Sequence, residues 1–226
     1  EDEKGNARSF TARRLQLVAP NLISYSQEEF VLADGGSISA GEYTYVQSTN
    51  SGVKGSRSNP YLISSAKEFE EYCKQYKNAG YQYFRLLKDI NYVSEDIYSS
   101  KLYGNVLIGY FEGNGFSISN YAVNSIVSNL TAGLFAQIGA NAYEVSCLKN
   151  TTFVPAYINL PNCVYVGGIA GSVVNTDVLN VSLDAKDVII VGGNIVGGLF
   201  GRSFGQTNIS QAYANVSVKA NSYNST

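Results

Sequence analysis

Val166-Gly167-Gly168-Ile169-Ala170-Gly171 and Val196-Gly197-Gly198-Leu199-Phe200-Gly201 are two copies of one pattern set 30 residues apart. A third copy, Ala132-Gly133-Leu134-Phe135-Ala136, precedes the first of these by 35 residues. Each core is followed by an Asn/Ser/Thr turn and an apolar run, Val178 to Leu183 after one and Ile209 to Val216 after the next. Recurrence at a period of about 20–50 residues is the mark of stacked units that share one continuous core, because no unit buries its apolar face alone. The units lack any helical periodicity, which excludes the ankyrin, tetratricopeptide and leucine-rich types. A propeller blade needs about 40–50 residues, more than this spacing allows. Paired glycines permit tight corners and close backbone approach.

The spacing therefore predicts an all-β chain whose residues 83–226 wind into a right-handed parallel β-helix. Leu134, Ile169 and Leu199 are expected in one interior column. Charge supports an organisational boundary near Tyr103-Gly104, since 25 of the 34 charged side chains precede Gly104. Three regions follow. Residues 1–58 read as an N-terminal β-segment or cap, 59–110 as a capping helix with the first strands, and 111–226 as glycine-rich β-helix repeats.

The helix signal lies at 64–80. Ser65 and Glu68 have capping-box spacing. Ala66, Phe69, Tyr72, Cys73 and Tyr76 fall on one face, and Gly80 is placed to end the helix. A single apolar stripe needs something to cover, and the open end of a solenoid is the expected surface. The last strand, from Val216, is followed by no such cap, so further repeats, another domain or another subunit are expected at that end.

Several functions are excluded by composition. There is no His, which removes imidazole bases and His-based zinc sites. Net charge is −2 and Arg13-Arg14 is a pair rather than a patch, so no nucleic acid partner is expected. No apolar run approaches the length of a membrane span. The chain contains no Met, which implies removal of a leader or excision from a longer protein. No cofactor or metal ligand set is apparent. Phe111-Glu112-Gly113-Asn114-Gly115 lacks the Lys-Ser/Thr ending of a phosphate loop and reads as a turn.

At the glycine cores the sequence resembles the GLUG-repeat family. Gly198-Leu199-Phe200-Gly201 fits the core, Gly168-Ile169-Ala170-Gly171 carries Ile for Leu, and Gly133-Leu134-Phe135-Ala136 departs at the last position. Upstream, Asn59-Pro60-Tyr61-Leu62-Ile63-Ser64, the helix, the strand at 83–90 and the segment 111–119 also resemble what precedes such repeats. The resemblance implies a bacterial-type surface or secreted protein, as adhesin stalks and accessory regions of immunoglobulin A1 proteases are. The protease motif needs His and does not carry over.

The expected function is a non-enzymatic, extracellular or cell-surface structural and adhesive module, with a host glycan or surface protein as partner. The alternative is a carbohydrate-active β-helix enzyme, a lyase or hydrolase. It would require carboxylates converging on one groove, and Asp177, Asp184 and Asp187, with Lys186 and Arg202, are the candidates; paired carboxylates would also suit calcium. Turn residues of these types are the simpler reading. Tyr81, Tyr83, Tyr92, Tyr98, Tyr103 and Tyr110 offer either a sugar-stacking platform or ordinary strand residues. Six Asn-x-Ser/Thr triplets begin at Asn129, Asn150, Asn180, Asn208, Asn215 and Asn224. They are glycosylation sites if the host glycosylates, and products of composition otherwise. Cys73, Cys147 and Cys163 read as buried thiols, with a Cys147–Cys163 bridge as the alternative.

Overall fold

The computed structural model describes residues 54–57, 59–75, 81–141 and 144–221. The chain divides into two compact units, Glu1–Ser51 and Gly52–Thr226, and every described residue belongs to the second. The β-segment expected over 1–58 lies almost wholly outside the described residues, as do Tyr76, Gly80 and Asn224.

The second unit is a β-solenoid of about 4 turns built from parallel sheets, with a single short helix among the described residues. Strand β1 (Tyr61–Ile63) leads into helix α1 (Ala66–Gln75). The first turn then runs through β2 (Gln82–Leu86), β3 (Ile90–Asn91), two short 3-10 segments and β4 (Val106–Leu107). The second comprises β5 (Gly109–Glu112), β6 (Ser117–Ser119), β7 (Ala122–Asn124), β8 (Thr131–Ala132) and β9 (Phe135–Ile138). The third has β10 (Ser146–Val154), β11 (Tyr157–Leu160), β12 (Tyr165–Gly167) and β13 (Ala170–Val174). The fourth has β14 (Thr176–Gly192), β15 (Ile195–Gly197) and β16 (Phe200–Phe204), and β17 (Asn208–Ala220) lies against β14. The expected boundary after residue 110 falls inside β5, and the stack begins at β1 rather than at residue 83. Tyr61 and Ile63 alternate inward like any later rung, and the helix follows them before the next one.

Register explains the core. Tyr61, Phe84, Phe111, Leu148, Val178 and Ile209 are successive partners across parallel strands and form one interior column. Ile90, Ile118, Phe153, Leu183 and Ala214 form a second. All members up to Val178 and Leu183 are buried, whereas Ile209 is 47% exposed. Val218 at 49% likewise contrasts with its buried partner Ile190. The side chains of β17 that continue these columns have no coil above them among the described residues.

The opposite end is closed by α1. Ser65 Oγ accepts from the Glu68 amide as the capping-box spacing predicts, but the Glu68 carboxylate takes the amide and hydroxyl of Ser64 rather than the amide of Ser65. Glu95 adds a second carboxylate at this helix start, accepting from the amides of Ala66 and Lys67. Ala66, Phe69 and Cys73 are buried, and the Phe69 ring meets Phe111 and Phe135 edge-on at 6.0 Å. On the same helix, buried Glu70 accepts from Tyr92 Oη, Ser100 Oγ and the Lys101 amide and pairs with Lys74 at 3.1 Å, tying the cap to the first turn.

Between the strands, two devices turn the corners. Asn150, Asn180 and Gln211 stand at equivalent places in β10, β14 and β17, each with left-handed backbone (φ 54°, 52° and 50°). Asn tolerates this conformation better than most residues. Their amides form a ladder: Asn180 Nδ2 donates to Asn150 Oδ1, and Asn150 Nδ2 donates to Glu112 Oε1.

The second device is the glycine core. A Cβ on Gly171 would lie 2.2 Å from the Ala132 amide nitrogen and 2.7 Å from the Tyr165 carbonyl oxygen. A Cβ on Gly201 would lie 2.7 Å from the Val166 nitrogen and 2.8 Å from the Gly171 oxygen. The last glycine of each core thus lets one sheet lie backbone to backbone on the strand of the preceding coil. Ala136 holds the equivalent position, opposite Gly171. The facing three-stranded sheet, whose β8 and β12 crowd Gly171 and Gly201, ends at β8, so among the described residues it has no strand in the coil before Ala136. The departure from the glycine pattern is explained by the missing neighbour. Leu134 and Ile169 are buried as expected, and the Leu199 carbonyl accepts from the Ile169 amide in the same stack. Leu199 itself is only partly buried, since the adjoining strand β16 is the last of its sheet among the described residues.

Gly171→Ala should therefore cost about 2 kcal/mol or more, as overpacking against backbone has no side chain to displace. Ala136→Gly should cost under about 1 kcal/mol, through unfolded-chain entropy alone. Urea unfolding of both variants checks this; equal losses would contradict the stacking described.

Candidate functional site

Parallel register also sorts the outward side chains into columns. Tyr83, Tyr110, Cys147, Asp177 and Asn208 are one, and Leu62, Arg85, Glu112, Lys149 and Leu179 the next. Where the two columns cross β2 and β5, Tyr83 and Tyr110 stand beside Arg85 and Glu112. Together with Arg57, Pro60 and Phe84 they line a cleft of about 390 Å³. The short loop carrying Arg57 is anchored at its base, where the Tyr83 amide donates to the Gly55 carbonyl.

The aromatic wall is continuous. Tyr83 and Tyr110 stack with centroids 5.7 Å apart, and Tyr81 meets Tyr83 at 5.4 Å edge-on. Tyr81 Oη donates to the Val145 carbonyl, and burial raises its phenol far above the usual range, with the neighbouring Tyr83 adding to the effect. Of the other tyrosines in the expected platform, Tyr92 is buried against Glu70, Tyr103 packs on the core, and Tyr98 stands 68% exposed with its hydroxyl on Asp96. Three of the six are brought together.

The charges around the wall are unequal in their commitments. Lys149 pairs with Glu112 at 3.0 Å and lies 4.9 Å from the Tyr110 ring centroid. Burial alone would lower its pKa, but Tyr110 and Glu112 outweigh that and raise it. Glu112 Oε1 also accepts from the Asn114 amide and from Asn150 Nδ2. The side chains of Arg57 and Arg85 make no ion pair or hydrogen bond among the described residues.

The carboxylates considered for catalysis or calcium are not gathered. Asp177 accepts from Asn208 Nδ2 and Asp184 from Asn215 Nδ2, each at 2.8 Å. The left-handed corner at Asn180 separates these two along β14. Asp187 and Lys186 are exposed within the irregular stretch that follows Asp184. Arg202 belongs to another sheet, its guanidinium 4.5 Å from the Tyr165 ring and 5.0 Å from that of Phe204. No group of three His, Cys, Asp or Glu residues suited to a metal occurs among the described residues. Of the segment Phe111 to Gly115, the first two residues end β5 and the expected turn follows at Asn114 and Gly115, both at positive φ.

Four of the Asn-x-Ser/Thr asparagines use their side-chain amides to bond the preceding coil: Asn150, Asn180, Asn208 and Asn215. Asn129 is half-buried in the loop before β8. All three cysteines are free thiols, Cys147 facing outward from β10 and Cys163 buried beside the Val127 carbonyl, so no bridge joins them.

Sequence reasoning missed Arg57, Arg85, Glu112 and Lys149. The available signal was the one-coil offset between Tyr83-x-Arg85 and Tyr110-x-Glu112, which becomes visible only once the register is known. No family model, curated protein or solved structure matches this chain. No helix among the described residues is long and apolar enough to cross a membrane.

Burial pushes the Cys147 thiol up to about 11, with Lys149 opposing and Asp177 and Glu112 assisting. Because the thiolate is the nucleophile, iodoacetamide at pH 8 should label Cys147 about a hundredfold more slowly than an unhindered cysteine. In denaturant, three thiols should react. Only one reactive thiol in denaturant would instead show a bridge.

Proposed function

We propose that this chain is a non-enzymatic structural and adhesive module of a GLUG-repeat type, displayed outside the cell and binding a glycan through the cleft at Tyr83 and Tyr110. The observation that carries the reading is a stacked aromatic wall, partly exposed and flanked by guanidinium groups, on a rigid parallel ladder. Aromatic faces offer apolar area to the C–H faces of sugar rings at low entropic cost. The recurrence of the glycine core at the same corner of successive coils supports the family reading. Right-handed winding accords with the strong preference of parallel crossover connections.

The enzyme alternative has less support. Glu112, Asp177 and Asp184 are each engaged by neighbouring amides, and the three stand on different strands or on opposite sides of a corner. A general acid and base would need to face a common substrate.

Binding should be visible on an array of oligosaccharides. Tyr83→Ala and Tyr110→Ala should each weaken it about tenfold, the scale of one lost aromatic contact of 1–2 kcal/mol. Undiminished binding by both variants would move the site elsewhere. The face of β17 left uncovered among the described residues supports assembly as a second property of the module, since the outer edge and exposed apolar side chains of such a strand template another layer. Sedimentation should show concentration-dependent association, suppressed by Ile209→Lys. A strict monomer at high concentration would reject assembly.

A further inference from the structure

The cleft carries a chemical preference that the aromatic wall alone does not supply. Arg85 and Glu112 are direct partners across β2 and β5, on strands about 4.8 Å apart. Such a pair would ordinarily be neutralised in place. Here it is not, because the acidic partner is drawn to the other side. Glu112 Oε2 pairs with Lys149 of the next coil, and Glu112 Oε1 takes the Asn114 amide and Asn150 Nδ2. Asn150 is held by the ladder and by its own left-handed backbone, so the orientation of Glu112 is built into the corner of β10. The Arg85 guanidinium is left facing the cleft without an anion, and Arg57 faces it from the loop above, also without one among the described residues.

Two uncompensated guanidinium groups beside two stacked phenols match a ligand with both a sugar face and a carboxylate. Guanidinium binds carboxylate through paired, charge-assisted hydrogen bonds whose planar geometry ammonium cannot reproduce. We infer that the cleft selects acidic saccharides, those bearing a uronate or sialate carboxylate, with Arg85 and Arg57 receiving the carboxylate and Tyr83 and Tyr110 the ring. Glu112 is a positioning residue in this arrangement. Engaged by Lys149 and two amides, it holds the Lys149 ammonium beside the Tyr110 ring without cancelling Arg85. This inference rests on the glycan-binding reading above and adds the charge of the ligand to it.

The test uses the full chain against an array of uronate- and sialate-bearing oligosaccharides printed beside their methyl esters and neutral counterparts, with dextran sulfate in solution as a plain polyanion. Esterification removes the negative charge while leaving the ring unchanged. The acids should bind at least about tenfold more tightly than their esters, the scale of one charge-assisted hydrogen bond. Arg85→Gln should narrow that discrimination at least threefold by weakening the acids more than the esters, and its melting temperature should stay near the wild-type value, since the Arg85 side chain has no ion-pair or hydrogen-bond partner among the described residues to lose. Tyr83→Ala should weaken acid and ester alike. Equal binding of acids and esters would overturn the acidic preference and leave the glycan reading standing. Binding to dextran sulfate as tight as to the acids, and unaffected by Tyr83→Ala, would reduce the cleft to charge attraction and overturn the inference. Absence of all saccharide binding would overturn both.

Discussion

Parallel, in-register pairing between successive coils is the interaction on which the rest of this structure depends. No coil satisfies its own backbone: β10 pairs with β5 and β6 on one side and with β14 on the other, and β2, β5, β6, β11 and β14 likewise lie between strands of neighbouring coils. Strand spacing of about 4.8 Å then sets the distance between equivalent side chains. Apolar columns, the amide ladder and the outward columns of charged and aromatic residues are consequences of that one repeat. So is the glycine requirement at Gly171 and Gly201, where two sheets approach until a single methyl group has no room. The helix follows as well, because the first rung of such a stack has an uncovered apolar face, and Phe69 and Cys73 cover it.

The recurrence of the glycine core reads directly in the sequence because backbone contact leaves no choice of residue. The position of Ile169 in the interior and the capping-box start of the helix were legible for similar local reasons. Other features needed the register. The start of the stack at Tyr61 is hidden by the helix that follows it, and nothing local distinguishes a three-residue rung from a loop. Ala136 looks like a defect in the repeat until the absence of a neighbouring strand explains it. Asn150 and Asn180 carry the triplets of glycosylation sites, yet their side chains are steps of a ladder at a strained corner.

The cleft was the least legible part. Its aromatic half was visible as a density of tyrosines, without an indication of which of them meet. Tyr83 and Tyr110 lie one coil apart in sequence and in contact in space, while Tyr92, equally prominent in the sequence, is buried against Glu70. Its charged half was invisible, because the pairing of Glu112 with Lys149 rather than with Arg85 depends on the geometry of the next corner. A ladder of this kind is a rigid support for a binding surface. Tyr83 and Arg85 sit on β2 between β1 and β5, and Tyr110 and Glu112 on β5 between β2 and β10, so a ligand of the proposed kind would meet a preorganised wall and lose little ordering entropy.

The most direct test of this account is nuclear Overhauser contact between side chains one coil apart. Parallel stacking places the Leu148 methyl groups against both the Phe111 ring and the Val178 methyl groups, and the Leu183 methyl groups against the Phe153 ring, all at separations of a full coil in sequence. The account predicts all of these contacts in the same sample, with equivalent cross-strand contacts running in the same direction along every strand. Contacts whose order reverses from one strand to the next, as in an antiparallel meander, would contradict it.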